Sequence, residues 1–279
     1  MNDYILSCLL GVVEGLTEFL PVSSTAHLRI TEALLGMDLS SGYWKMFSIV
    51  IQLGPILVLP IYFRRRIAEF FATFPQGIRG DRTVVTHPLT LTLIAFVCTA
   101  VPAFVLTKLI GKNLENIRLM GISFIVGGII MWLVDSTYGP KNQGRGDVET
   151  IHMGQAILVG LCQVLAPVFP GTSRSMATIV GGELAGLSRS TALEFSFLLS
   201  IPTMAAATGY DLLKSIRNPE DHVRFDAHGI IVLLIGFVIA FIVAWGAVAW
   251  FMQWVRSRGF TPFAIYRILA GIAVLAWQW

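Results

Sequence analysis

Residues 11–27 read GVVEGLTEFLPVSSTAH, and residues 160–176 read GLCQVLAPVFPGTSRSM. Laid over each other without a gap, at an offset of 149 residues, they place Gly11 on Gly160, Glu14 on Gln163, Leu16 on Leu165, Pro21 on Pro170 and Ser24 on Ser173. Each is an apolar run broken in its middle by a proline and then small hydroxylated residues. Proline ends a helix and frees backbone groups. If the run lies in a membrane, those groups must line a polar cavity. The pattern therefore predicts two re-entrant helical hairpins, over 4–35 and 152–187. A Phe-Ser pair follows each, Phe47-Ser48 and Phe195-Ser196, with Pro55 and Pro202 a few residues on. The chain reads as a duplication.

The rest of the sequence supplies the membrane. Of 279 residues, 55% are hydrophobic and 13% charged, and the mean hydropathy of +0.72 is far above that of a water-soluble domain. Segments 46–63, 88–107 and 229–255 carry no charge at all, and about 20 apolar residues suffice to span a bilayer. Weaker candidates at 116–135, 191–212 and 259–279 bring the spans to six. The expected fold is an all-α integral membrane protein, one membrane domain over 1–279. Its halves, 4–136 and 152–279, each cross an odd number of times and so form an inverted-topology repeat, with functional groups meeting near the midplane. Asp3, Glu14 and Glu18 argue against a cleaved signal peptide at the N-terminus.

The composition excludes secreted, disordered and nucleic-acid-binding proteins, and a net charge of +3 suggests no polyanionic partner. The placement of charge says more. Arg64, Arg65, Arg66, Arg79, Arg82, Lys141, Arg145, Arg189, Arg256 and Arg258 fall on one face; Lys45, Lys112, Arg118, Lys214, Arg217 and Arg224 fall on the other. The first face is the better cytoplasmic candidate, so both termini and the opening of hairpin 4–35 are expected outside. Trp245, Trp250, Trp254, Trp277 and Trp279 suit interfacial belts or packing. Cys8, Cys98 and Cys162 lack metal-ligand spacing and read as small packing residues.

The first tip carries the chemistry. Glu14 and Glu18, at i and i+4, share one helix face and repel unless a proton or a cation lies between them. A charge at the centre of a spanning helix costs about 2.5–3.5 kcal/mol, so such residues usually mark a function. Ser23, Ser24 and Thr25 supply caps for the next helix, and His27 falls close enough on the same face to exchange a hydrogen bond with the Ser24 hydroxyl. The second tip offers Gly171, Thr172, Ser173, Arg174 and Ser175: helix-start N–H groups, hydroxyls and a guanidinium, which together suit a phosphate. Arg174 could also neutralise Glu14 or Glu18. Arg267, inside the last span, is a candidate counter-ion that the spacing does not assign.

The blocks GVVEGLTEFLPVSSTAH and PGTSRS, followed by EFSFLLSIP and FTPFAIYR, resemble the bacterial undecaprenyl pyrophosphate phosphatase family, also known for bacitracin resistance, over nearly the whole chain. Ala26 and Met176 stand where that family usually has glycine. The resemblance implies an enzyme of the bacterial cytoplasmic membrane that removes the terminal phosphate of undecaprenyl diphosphate and so recycles the lipid carrier for cell-wall synthesis. The family's functional positions match Glu14, Glu18, Ser24, Thr25, His27, Ser173 and Arg174.

The expected mechanism is attack by Ser24 Oγ on the terminal phosphorus, with Glu18 or His27 taking its proton, and hydrolysis of the phosphoserine by water. Ser23, Thr25, Gly171, Thr172 and Ser173 would bind the substrate phosphates. A divalent cation, magnesium or calcium, held by Glu14 and Glu18 is the expected cofactor, and no organic cofactor is expected. The expected partners are the polyprenyl diphosphate and membrane lipids; whether two copies form a homodimer is open. The rival is a lipid-phosphate transporter or flippase, since inverted repeats with broken helices also build carriers.

Overall fold

The computed structural model describes residues 2–37, 42–106, 116–217 and 226–277, and among them there are helices and turns but no strand. In chain order the helices are α1 (Asp3–Thr17), α2 (Ser24–Leu35), α3 (Gly42–Tyr62), α4 (Arg64–Thr73), α5 (Pro88–Val105), α6 (Ile117–Tyr138), α7 (Met153–Gln163), the single turn α8 (Leu165–Val168), α9 (Arg174–Leu184), α10 (Arg189–Arg217), α11 (Ala227–Arg258) and α12 (Thr261–Trp277). Five of these, α3, α5, α6, α10 and α11, are long and apolar enough to cross a membrane, and α12 is a shorter apolar helix of 17 residues. The chain is an all-α integral membrane protein. Lys112, Arg224 and Trp279, which entered the charge and tryptophan readings, lie outside the described residues.

Helix α1 has 15 residues and therefore rises about 22 Å, short of the roughly 30 Å of a hydrocarbon core. It opens on Asn2, whose side chain accepts from the Tyr4 N–H at 2.9 Å, and stops before Pro21. The chain turns there and returns as α2, which ends on left-handed Gly36. The second hairpin is built likewise from α7, α8 and α9.

The two hairpins enter from opposite ends of the molecule. At one end Tyr4 and Asp3 both meet His228, at 3.0 and 3.1 Å, and the Tyr43 hydroxyl donates to the Gly229 carbonyl at 2.7 Å. At the other end Gln155 Nε2, at the start of α7, donates to the Ala185 carbonyl after α9 at 3.0 Å. That second end also gathers the arginine-rich loops: Arg79 pairs with Asp147 at 3.0 Å, and Gly139, Gln143, Ser190 and Arg256 line one cleft.

The packing between halves is reciprocal: α1 lies along α11, α7 lies along α5, α3 meets α10, and α6 runs beside α12. Glycine at the aligned positions 11 and 160 permits the first two approaches, because a Cβ would come within 2.7 Å of the Gly236 carbonyl and 2.3 Å of the Ala95 carbonyl, respectively. Buried Asp135 closes the arginine-rich end, accepting from Arg189 Nε at 2.6 Å and from the Phe260 and Thr261 N–H groups at 3.1 Å each. Large apolar side chains such as Phe104, Ile242 and Leu269 are exposed on the outside, as a surface facing acyl chains requires. All three cysteines are free and half-buried.

Candidate active site

Each tip turns on a serine in the left-handed region: Ser23 has φ 72° and Ser173 φ 71°, the only described non-glycine residues with positive φ. Such a conformation costs on the order of 1–3 kcal/mol and persists where surrounding contacts hold it. The Ser23 carbonyl accepts from His27 Nδ1 at 2.8 Å and from the His27 N–H at 3.2 Å. The Ser173 hydroxyl accepts from the Met176 N–H at 3.3 Å and meets Ser175 Oγ at 3.0 Å. Immediately after these serines α2 and α9 begin, so that their first-turn N–H groups, which have no carbonyl partner within the helix, lie at the tips.

This geometry corrects the gap-free alignment by one residue. Ser23 is the structural counterpart of Ser173, and Ser24, not Thr25, is the counterpart of Arg174. The extra residue of the second tip is taken up between Pro170 and Ser173, where Gly171 adopts φ 91°.

The tips meet. Ser175 Oγ donates to the Leu20 carbonyl at 3.0 Å. Ser24 Oγ donates to Glu18 Oε2 in a short hydrogen bond, and Arg174 Nη2 donates to Glu18 Oε1 at 3.3 Å. Glu18 thus holds a hydroxyl from its own hairpin and a guanidinium from the other. The guanidinium lies over the Phe19 ring, 6.0 Å from its centroid, and its Nη1 is buried with no hydrogen-bond partner among the described residues. Glu14 is wholly buried beside Glu18 and Arg174, and among the described residues neither of its carboxylate oxygens has a hydrogen-bond partner. Buried polar groups left open in this way are ready to receive a ligand or its counter-ion.

Of the residues expected at the site, Ser23, Ser24, Glu14, Thr172, Ser173 and Gly171 are buried at or next to the tips and Glu18 and Arg174 are half-buried there, whereas Thr25 is exposed at the start of α2. His27 departs from expectation. Its Nδ1 is committed to the Ser23 carbonyl and its Nε2 meets the Tyr266 hydroxyl at 2.6 Å. The hydrogen bond between His27 and Ser24 suggested by their spacing is therefore not formed, because the left-handed turn at Ser23 aims Ser24 back towards Glu18. Two contributors were not assigned from the sequence, Tyr266 and the Arg267 beside it, whose guanidinium donates to the carbonyls of both tips. The one available signal was a lone charge inside an apolar span.

Among the described residues no group of three His, Cys, Asp or Glu side chains forms a metal site. A cation held by two carboxylates and completed by substrate phosphate oxygens is a different case, and the open oxygens of Glu14 beside Glu18 fit it.

The chain is similar to known proteins over nearly its whole length. Residues 7–273 match the family model described as Bacitracin resistance protein BacA. The chain belongs to this family. It is 64% identical to the undecaprenyl-diphosphatase of Koribacter versatilis, with 99% of each chain covered. It is 42% identical to that of Aquifex aeolicus, with 96% of each covered, and 38% identical to that of Neisseria meningitidis, with 96% of this chain and 92% of the other covered. The chain thus covers at least 92% of the length of each of these relatives.

Because the tips meet, cysteines at Thr25 and Ser173, in a background with Cys8, Cys98 and Cys162 replaced by alanine, should be joined by a short bifunctional thiol reagent. Absence of the crosslink in monodisperse protein would show that the tips stay apart.

Proposed function

We infer that this protein is an undecaprenyl-diphosphate phosphatase, which hydrolyses undecaprenyl diphosphate to undecaprenyl phosphate and inorganic phosphate. The relatives that cover the whole chain carry this activity in their names. The structural observation that supports it is the Glu18 carboxylate, which holds the Ser24 hydroxyl and Arg174 together.

The reaction follows from those contacts. Glu18 takes the Ser24 proton as Oγ attacks the terminal phosphorus; the bond to the bridging oxygen breaks and undecaprenyl phosphate leaves. Arg174, with Nη1 already open, binds the non-bridging oxygens in a bidentate grip, and the first-turn N–H groups of α2 and α9 add to the charge stabilisation. The departing lipid phosphate accepts the proton from Glu18; Glu18 then takes a proton from the water that attacks the phosphoserine, and returns it to Ser24 Oγ as the P–Oγ bond breaks and inorganic phosphate leaves. Glu18 rather than His27 is the base in this account, since both His27 nitrogens are engaged elsewhere. Ser23, Thr25, Gly171, Thr172 and Ser173 line the path of the two phosphates. A divalent cation held by Glu14 and Glu18 would supply further positive charge to the phosphoryl oxygens.

A lipid-phosphate carrier needs the guanidinium but not a hydroxyl paired to a carboxylate, so the Ser24–Glu18 contact favours the hydrolase. The chain is a multi-pass protein of the bacterial inner membrane. As part of this proposal, its two halves run in opposite directions, the arginine-rich end is cytoplasmic, and both termini and hairpin 4–35 open outside. The lysine and arginine bias supports that orientation, and the polyprenyl tail is expected to lie between spans.

Ser24→Ala removes one oxygen and little volume, so it should lower phosphate release from undecaprenyl diphosphate by on the order of a thousandfold or more while substrate binding persists. Turnover near wild type in a folded Ser24→Ala protein would make water the direct nucleophile. If Glu14 and Glu18 hold a cation, excess chelator should abolish activity and magnesium or calcium restore it, with a weaker response in Glu14→Gln. Full activity in chelator would leave both carboxylates to proton transfer and hydrogen bonding.

A further inference from the structure

Arg267 is wholly buried on α12, and among the described residues no carboxylate forms an ion pair with it. A buried charge is costly unless it is well hydrogen-bonded, and what bonds this one is backbone. Nη1 donates to the Pro21 carbonyl at 3.1 Å, and Nη2 donates to the Gly171 carbonyl at 2.9 Å and to the Ser123 carbonyl at 3.0 Å. The first two belong to the two hairpin tips and the third to α6. The Phe124 ring lies 5.2 Å from the guanidinium carbon, a cation–π contact that further accommodates the charge.

The neighbouring helix is shaped for this group. A Cβ added at Gly127 on α6 would lie 2.5 Å from Arg267 Nη2 and 2.8 Å from Met176 Cε, so any side chain there would push the guanidinium and the methionine end aside. One residue earlier on α12, Tyr266 meets His27 Nε2 at 2.6 Å and stacks on the imidazole, with centroids 5.8 Å apart and planes 12° off parallel. The Ser23 carbonyl can only accept, so His27 Nδ1 carries the proton and Nε2 accepts from the Tyr266 O–H. The pair therefore braces both turns: Tyr266 through His27 to Ser23, and Arg267 directly to Pro21 and Gly171.

We propose that Arg267, with Tyr266 beside it, is the positioning element of the active site: its guanidinium fixes the separation of the two hairpin tips and so sets Ser24 and Glu18 of one against Arg174 of the other. The role rests on the hydrolase reading above. Arg267 is a positioning residue, since between it and Ser24 stand the carbonyls it holds. A lysine would keep the charge but offers a point donor where a planar fork reaches three carbonyls.

The test compares wild type, Arg267→Lys and Gly127→Ala in detergent or nanodiscs; the second variant crowds the guanidinium without removing it. Two readouts are taken: steady-state phosphate release, and the distance between spin labels on Thr25→Cys and Phe169→Cys in a cysteine-free background. The expected result is a kcat lower by at least about tenfold in both variants, as for a small misplacement of reacting groups, with KM changed by less than about threefold. The inter-tip distance distribution should broaden or shift relative to wild type. Wild-type kcat in either folded variant would overturn the proposal, and so would a fall in kcat with an unchanged, narrow distance distribution. If Arg267→Lys fails to fold, Gly127→Ala alone decides. Absence of phosphate release by wild type would refute the hydrolase reading instead, and the distance measurement would still report whether Arg267 holds the tips.

Discussion

Glu18 accepts from Ser24 with one carboxylate oxygen and from Arg174 with the other, and the fold is arranged so that this is possible. The hydroxyl and the guanidinium lie in different halves of the chain. They come together because α1 ends at the first tip, after 15 residues, and a second broken helix from the other half of the chain meets it there. Bare backbone at membrane depth needs partners. The tips find them in each other, through Ser175 and Leu20, and in Arg267. The polar groups that close the turns and those that would handle a phosphate are therefore one connected set.

Much of this was legible in the sequence, for identifiable reasons. Proline followed by hydroxylated residues marks a broken helix whatever surrounds it, and charge-free runs of span length are unambiguous in composition. Two carboxylates at i and i+4 in an apolar run have few bland explanations. These signals are local, so residue type and spacing suffice to read them.

What escaped the sequence depended on backbone conformation and on contacts across the fold. Nothing in the Ser23-Ser24 dipeptide announces that the first serine is left-handed, yet that dihedral angle turns Ser24 towards Glu18 and away from His27. The same angle at Ser173 shifts the correspondence of the tips by one residue, which a gap-free alignment cannot show. Arg267 was visible as a misplaced charge, but its partners are carbonyls at Pro21, Ser123 and Gly171, and no side-chain pattern encodes a carbonyl. Tyr266 gave no signal, since an aromatic in the last span has many packing roles.

The central claim is that Ser24 attacks phosphorus and forms a covalent intermediate. The stereochemical course at the terminal phosphorus tests it most directly, with an undecaprenyl diphosphate made chiral at that position by sulfur and one heavy oxygen isotope, hydrolysed in water enriched in the third isotope, and the configuration of the released thiophosphate as the readout. Two in-line displacements, one by Ser24 and one by water, predict net retention. Net inversion would mean a single displacement by water and would contradict the account.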